Sequence, residues 1–254
     1  MISKFKWICL ILVLSILASC AEQQTKGTGS NANEPVIARA RAHTELGAAY
    51  LQQNKLEIAL DEFSQAVAIA PDYALAYNGL GLVQASLGED ADAEVNFKKA
   101  IALQPNSSES HNNYGSFLCA RKRYDESIVE FLTAVKNPLY ATPNLAYANA
   151  GICADRKKDT KNAEVYLRKA LELEPLTNSA AQQLADIQFR QGDAEAANKT
   201  LQNALITNPS PETLWLGVRV ARALHDRDDE ASYALQLRKQ YPNSEQTKLL
   251  LSGK

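Results

Sequence analysis

A recurrence at 34 residues limits this chain more than any other feature. The stretch Ser110–Cys119 reads Ser-His-Asn-Asn-Tyr-Gly-Ser-Phe-Leu-Cys, and His111, Tyr114, Gly115 and Leu118 share one stripe of a 3.6-residue helix. The same stripe occurs 34 residues earlier as Tyr77, Leu80, Gly81 and Gln84, and another 34 earlier as His43, Leu46, Gly47 and Tyr50. Gly151 follows Gly115 after 36 residues, and Ala185 and Arg219 then continue at 34. Other columns keep phase: Ala59, Ala93, Ser127, Ala163, Ala197, Ala231; then Phe63, Phe97, Phe131, Leu167, Leu201, Leu235. A third runs Ala66, Ala100, Ala134, Ala170, Ala204 and is broken by Arg238. Pro71, Pro105, Pro175 and Pro209 close four units, with Pro138 and Pro242 one place early in the other two. A fixed period of this length means stacked copies of one supersecondary unit.

The columns match the tetratricopeptide repeat (TPR), a helix–turn–helix unit. Gly or Ala in helix A and the two Ala columns of helix B let the pair approach closely. The Phe or Leu column fills the space between them, and the prolines end helix B. Scarce Gly, abundant Ala and few β-branched runs favour helix throughout. The fold expected is all-α: a superhelix of six repeats over residues 39–242, concave on the A-helix side, with a capping helix over 243–254. Asn243-Ser244-Glu245 before Leu249-Leu250-Leu251 supplies the start signal for that cap. The two extra residues of repeat 3 fall in Asn137–Pro143, where Pro138 and Pro143 bracket Leu139-Tyr140. This is a contact loop or a tolerated insertion, and the second is the simpler reading. Ser127 and Arg219 depart from the repeat pattern, so local packing is in question at both.

The beginning of the chain has a different character. Lys4 and Lys6 precede the nearly apolar run Trp7–Leu17, which is shorter than the ~20 residues needed to span a bilayer. Leu17-Ala18-Ser19-Cys20 then resembles a bacterial lipobox. That resemblance implies a signal peptide over 1–19, acylation at Cys20 and a membrane anchor of palmitate-type chains. Residues 20–38, polar and without apolar periodicity as far as Glu34, read as a flexible tether. Ala21 replaces the Asp that retains enterobacterial lipoproteins in the inner membrane, so the resemblance implies the outer membrane, facing the periplasm. Removing Lys4 and Lys6 leaves 25 basic against 29 acidic residues, which gives no reason to expect nucleic acid as a partner.

No catalytic or metal-binding pattern is present, and neither an enzyme nor a cofactor is expected. His43, His111 and His225 are scattered, and the first two occupy a large-residue column, where packing explains them. Gly79-Leu80-Gly81 lies inside a helix with no preceding strand, unlike a phosphate loop. Cys119 and Cys153 lie on neighbouring A helices, whose axes pack about 8–10 Å apart. In an oxidising compartment the two can bridge; the alternative is a pair of buried free thiols. The candidate partner-binding groove comprises Thr44, Leu51, Leu75, Asn78, Leu82, Asn112, Ser116, Leu145 and Ile152, with Ala48 and Ala148. Apolar side chains and amides with almost no charge suit an apolar or amphipathic peptide, with Asn hydrogen bonds to its backbone. Arg121-Lys122-Arg123 and Arg156-Lys157-Lys158 occupy equivalent turns and are expected to stack into a basic patch.

The lipobox, the tether, the six repeats and the paired segments 111–119 and 147–154, each containing Asn and Cys, together resemble the pilotin family of type IV pilus biogenesis and stability lipoproteins. The resemblance implies an outer-membrane lipoprotein that helps the pilus secretin localise and form its multimer, or that stabilises the pilus; a monomer is expected. Its partners would be the secretin or other pilus assembly proteins, with Cys20 the lipid site and Cys119 and Cys153 the bridge. The alternative is a general periplasmic TPR scaffold for another envelope complex, such as outer-membrane assembly or peptidoglycan hydrolase regulation.

Overall fold

The computed structural model describes residues 34–206 and 208–253. The signal segment, Cys20 and the first part of the tether lie outside the described residues. Thirteen helices follow one another, with no strand among the described residues. They are α1 (Glu34–Gln52), α2 (Leu56–Ile69), α3 (Ala74–Leu87), α4 (Asp90–Leu103), α5 (Ser108–Ala120) and α6 (Tyr124–Ala134). The remainder are α7 (Pro143–Arg156), α8 (Thr160–Leu173), α9 (Asn178–Arg190), α10 (Ala194–Ile206), α11 (Pro211–Ala223), α12 (Arg227–Gln240) and α13 (Glu245–Leu251). Odd-numbered helices α1–α11 are the A helices and their successors the B helices of six repeats. The chain is a TPR superhelix, with each A helix packed on its own B helix and on the next A helix.

The start differs from expectation. Glu34–Ile37, read from sequence as tether, are already helical, and Val36 and Ile37 pack against the buried cluster of Ala40, Ala66, Ala70 and Ala76. Two apolar side chains next to Pro35 were too short a pattern to show a period on their own.

Small and large columns fit together as their sizes require. Phe63, Phe97, Phe131, Leu167 and Leu201 are all at most 2% exposed, and the alanines on either side of them are sealed. A Cβ added at Gly81 would stand 2.8 Å from the Phe97 ring, and at Gly115 2.9 Å from Phe131. Gly79 is tighter still, because an added Cβ would meet Phe63 of the preceding repeat at 2.2 Å. Ser127 fits the Ala column because its buried hydroxyl donates to the Gly115 carbonyl at 2.7 Å, so its polar atom is satisfied. His43 and His111 set their Nδ1 atoms 2.7 and 2.5 Å from Glu62 and Glu130 on the paired B helices.

Each A–B turn contains one residue with positive φ: Asn54, Gly88, Lys122, Lys158, Gly192 and His225. The steps between them are 34, 34, 36, 34 and 33 residues. The sixth repeat therefore begins one residue earlier than a constant period predicts, and the columns Arg219, Ala231, Leu235 and Arg238 are corrected to Val218, Glu230, Ala234 and Leu237. Leu235 is 59% exposed, whereas Val218 and Leu237 are fully buried and Ala234 nearly so. The volumes explain the slip: Val218 replaces the small residue of helix A, and Ala234 replaces the large one of helix B. One exchange offsets the other, so packing is conserved while the sequence signature is lost.

Ser244 caps α13, accepting from the Thr247 amide at 3.1 Å. The Thr247 hydroxyl donates to the Tyr241 carbonyl at 2.7 Å, and Leu250 packs on the last core cluster while Leu251 stays exposed. Residues 137–143 form a turn in which the Asn137 side chain accepts from the Leu139 amide at 3.0 Å, leaving Leu139 out in solvent.

Candidate protein-interaction surface

The A helices line the concave side, and their inward positions recur in register. Leu75 and Leu145 are exposed there at 36% and 45%, and Ser116 and Ala48 are also open. Thr44 is half-buried and donates to the Ala40 carbonyl at 2.9 Å. Leu51, Leu82 and Ile152 present one side to the groove while packing the other on the core clusters of repeats 1 to 4. Ala148 is buried.

The amides behave differently from the sequence expectation. Asn78 is 4% exposed, and its Oδ1 accepts from Nδ2 of Asn113 on the next A helix at 3.3 Å. Asn112 accepts from Asn149 of the following repeat at 3.0 Å. These groups tie repeat to repeat, because a buried amide is stable only when paired. Each spends its amide oxygen on this link, and Asn112 stays only half-buried among the groove's apolar and hydroxyl positions.

Nor does the low charge extend past the fourth repeat. Arg190 donates two bonds to Asp155, at 2.9 and 2.8 Å, and one to Asp186 at 2.9 Å. Arg219 lies 4.0 Å from Asp186 and over the Phe189 ring at 4.8 Å. With the one-residue slip corrected, Trp215 and Arg219 fall in the same inward columns as Asn112 and Ser116. The constant period had hidden both; the positive-φ turn residues restore the register.

Half of the expected basic patch, Arg121, Arg123 and Lys157, is spent on neighbours. Arg121 donates to Asp90 through Nε at 2.7 Å and Nη2 at 2.5 Å, and Arg123 bridges Glu94 at 2.7 Å and Glu126 at 2.6 Å. Lys157 pairs with Asp125. Arg123, with Lys98 and Tyr114 also donating, holds the Glu94 carboxyl down at about 2. Arg121, Arg123 and Lys157 thus each reach an acid of the preceding repeat, making a seam between repeats.

Cys119 and Cys153 are both buried and joined as a disulfide, with Cα atoms 5.9 Å apart. They occupy non-equivalent turns of α5 and α7, since the extra residues of repeat 3 intervene. The bridge therefore crosses the junction where the repeat period is perturbed. No group of three or more potential metal ligands occurs among the described residues, and none of the helices described is long and apolar enough to cross a membrane.

Similarity to known proteins follows this geometry. Family models described as TPR or tetratricopeptide repeats match residues 47–88, 74–107, 96–129 and 145–175. The chain is 32% identical over 204 residues to the type IV pilus assembly protein PilF of Pseudomonas aeruginosa, covering 80% of this chain and 81% of that one. A solved structure from a functional study of P. aeruginosa PilF superposes with a TM-score of 0.76 at 30% identity, over 87% of this chain and all of the other. The crystal structure of PilW, described as a widely conserved type IV pilus biogenesis factor, gives 0.72 at 28% identity, over 84% and 98%. Repeat columns, array length and similarity along most of both chains agree, and the chain belongs to the PilF/PilW family of TPR proteins of type IV pilus biogenesis.

Proposed function

We propose that this protein is a pilotin: an outer-membrane lipoprotein, acylated at Cys20, that binds the pilus secretin and promotes its localisation and multimer assembly. The observation that carries the reading is the PilF similarity along four-fifths of each chain. The TPR architecture supports a binding role without catalysis, and pilus assembly proteins as partners. The lipobox-like Leu17-Ala18-Ser19-Cys20 supports the anchor and the periplasm-facing location. One acyl chain holds a protein only marginally and reversibly, so several are needed for firm attachment. The groove lined by Leu75, Ser116, Leu145 and Ile152 is the surface assigned to the partner, which it would receive as an apolar or amphipathic segment. The Cys119–Cys153 bridge would keep that groove's central repeats in register.

The test is the amount of SDS-resistant secretin multimer in outer membranes of cells lacking the gene. Wild type restores it, whereas Cys20→Ala and Leu145→Glu, the latter at a half-exposed position, do not. Unchanged multimer in the deletion strain would contradict the pilotin role and leave a pilus stabiliser or an envelope scaffold.

A further inference from the structure

We propose that the concave face of repeats 5 and 6 is a second, charge-reading part of the same groove. There Arg219 receives an acidic side chain of the partner segment. The proposal rests on the groove reading above and adds the polarity and spacing of what binds.

Three observations carry it. First, Arg219 is an underused cation. Its side chain is 39% exposed, and its contacts are the stack on Phe189 and the 4.0 Å pair with Asp186. It makes no hydrogen bond to any described residue, so its N–H groups remain available for a carboxylate, the acceptor that a guanidinium fork fits best. Second, most neighbouring charges are already paired. Asp186 is held by Arg190 at 2.9 Å, Asp155 by Arg190 at 2.8 Å, and Arg222 by Glu230 at 2.6 Å. Glu212 accepts from the neutral Gln246 amide at 3.0 Å and keeps its charge, so Arg219 must outweigh it at short range. Third, among the described residues Arg219 is the one cation bordering a cavity of about 250 Å³ lined also by Gln182, Trp215 and Gln246, with the carboxylates of Asp186 and Glu212. This hollow has the size for one side chain, with Trp215 and Arg219 both in its lining.

Position then sets the spacing. Leu82, Ser116, Ile152, Asp186 and Arg219 are the same inward place of successive A helices. Two steps separate Ile152 from Arg219. At about 8–10 Å per packed helix, that is roughly 16–20 Å. An extended segment advancing about 3.3 Å per residue covers it in about five or six residues. The partner segment should therefore carry Asp or Glu about that far beyond the apolar side chains seated on repeats 2–4.

The experiment uses the full-length acylated protein in detergent micelles and fluorescein-labelled synthetic peptides. Each has a short Leu/Val block and a Ser/Gly spacer that places Glu about five residues beyond the block. Control peptides carry Lys or Gln for Glu, or Glu directly beside the block. The correctly spaced Glu peptide is expected to bind about tenfold more tightly than the Gln version, and more tightly again than the Lys version, in low salt. Arg219→Gln should reduce the Glu/Gln preference to within about twofold, and Arg219→Lys should retain part of it. Circular dichroism confirms that both variants remain helical. Leu145→Glu should weaken every peptide. If Leu145→Glu weakens binding yet Glu, Gln and Lys peptides bind alike, or the preference survives in Arg219→Gln, this inference fails while the groove reading stands. If no peptide binds, or Leu145→Glu changes nothing, the groove reading fails and this inference with it.

Discussion

Gly79 shows how a single missing Cβ sets the distance between repeats. Its neighbour is the Phe63 ring of the preceding repeat, and an added Cβ would approach it to 2.2 Å. Alanine favours a helix interior by up to about 1 kcal/mol over glycine, but forcing a buried ring aside costs about 1–3 kcal/mol. Gly79→Ala is therefore expected to lower stability by about 1–2 kcal/mol in urea unfolding; a stabilised variant would contradict the packing account. His111 gives a second test. Nε2 donates to the Pro105 carbonyl at 2.9 Å, and Nδ1 meets the Glu130 carboxylate at 2.5 Å, so both ring nitrogens act as donors and the imidazolium is favoured. The Glu130 bond raises its pKa above the usual value, against burial and nearby Lys136. A raised folded-state value means the contribution is complete below the unfolded value of about 6.5 and is lost as pH rises through the folded value. His111→Gln should therefore destabilise more at pH 6 than at pH 9, measured by urea unfolding at each pH. An equal loss at both would show that the charge plays no part.

At the scale of helices and their junctions, the third-to-fourth repeat step carries the largest departure from the period, and the disulfide lies across it. Its 34-residue separation corresponds to about 3–4 kcal/mol of loop entropy removed from the unfolded chain. Cys119→Ser with Cys153→Ser should lower unfolding stability by about that amount, leaving the other A–B pairs intact; no change would mean that the bridge contributes nothing. The seam pairs act more weakly. Asp90 is 49% exposed beside Arg121, so solvent screens this pair and removing it should change stability little. Glu94 is better shielded at 24% exposure and has several donors. Its value of about 2 means that its contribution, complete above the usual carboxylate range, is lost as pH falls toward 2. The helices themselves were legible because Phe63, Phe97 and Phe131 recur at 34 with Ala on both sides, and period and volume then give one answer. Legibility failed where volume was exchanged. Val218 and Ala234 swap large for small, so a reader following residue type keeps the old register and places Leu235 inside. The same slip removed Trp215 and Arg219 from the groove. Asn78 and Asn112 hold a role the sequence could not show: it places an amide on the inward face, but not the Asn113 and Asn149 amides that donate to it.

Across the whole molecule, the array has two unlike halves along one concave face. Repeats 1–4 offer Leu75, Leu145 and Ile152 with hydroxyls between them, and repeats 5 and 6 offer a chain of charges ending at Arg219. A one-dimensional stack transmits stability only between neighbours, so changes in one half leave the other half's surface in place. That separation is what allows groove variants to be compared. Site-specific photocrosslinking in living cells tests the proposed contact between the concave side and the secretin most directly. A photoreactive residue at Ser116, open on the concave side, should crosslink to the secretin, while one at Val129, exposed on a B helix at 60%, should not. Crosslinks from Val129 and none from Ser116 would place the partner on the outer face and contradict the account.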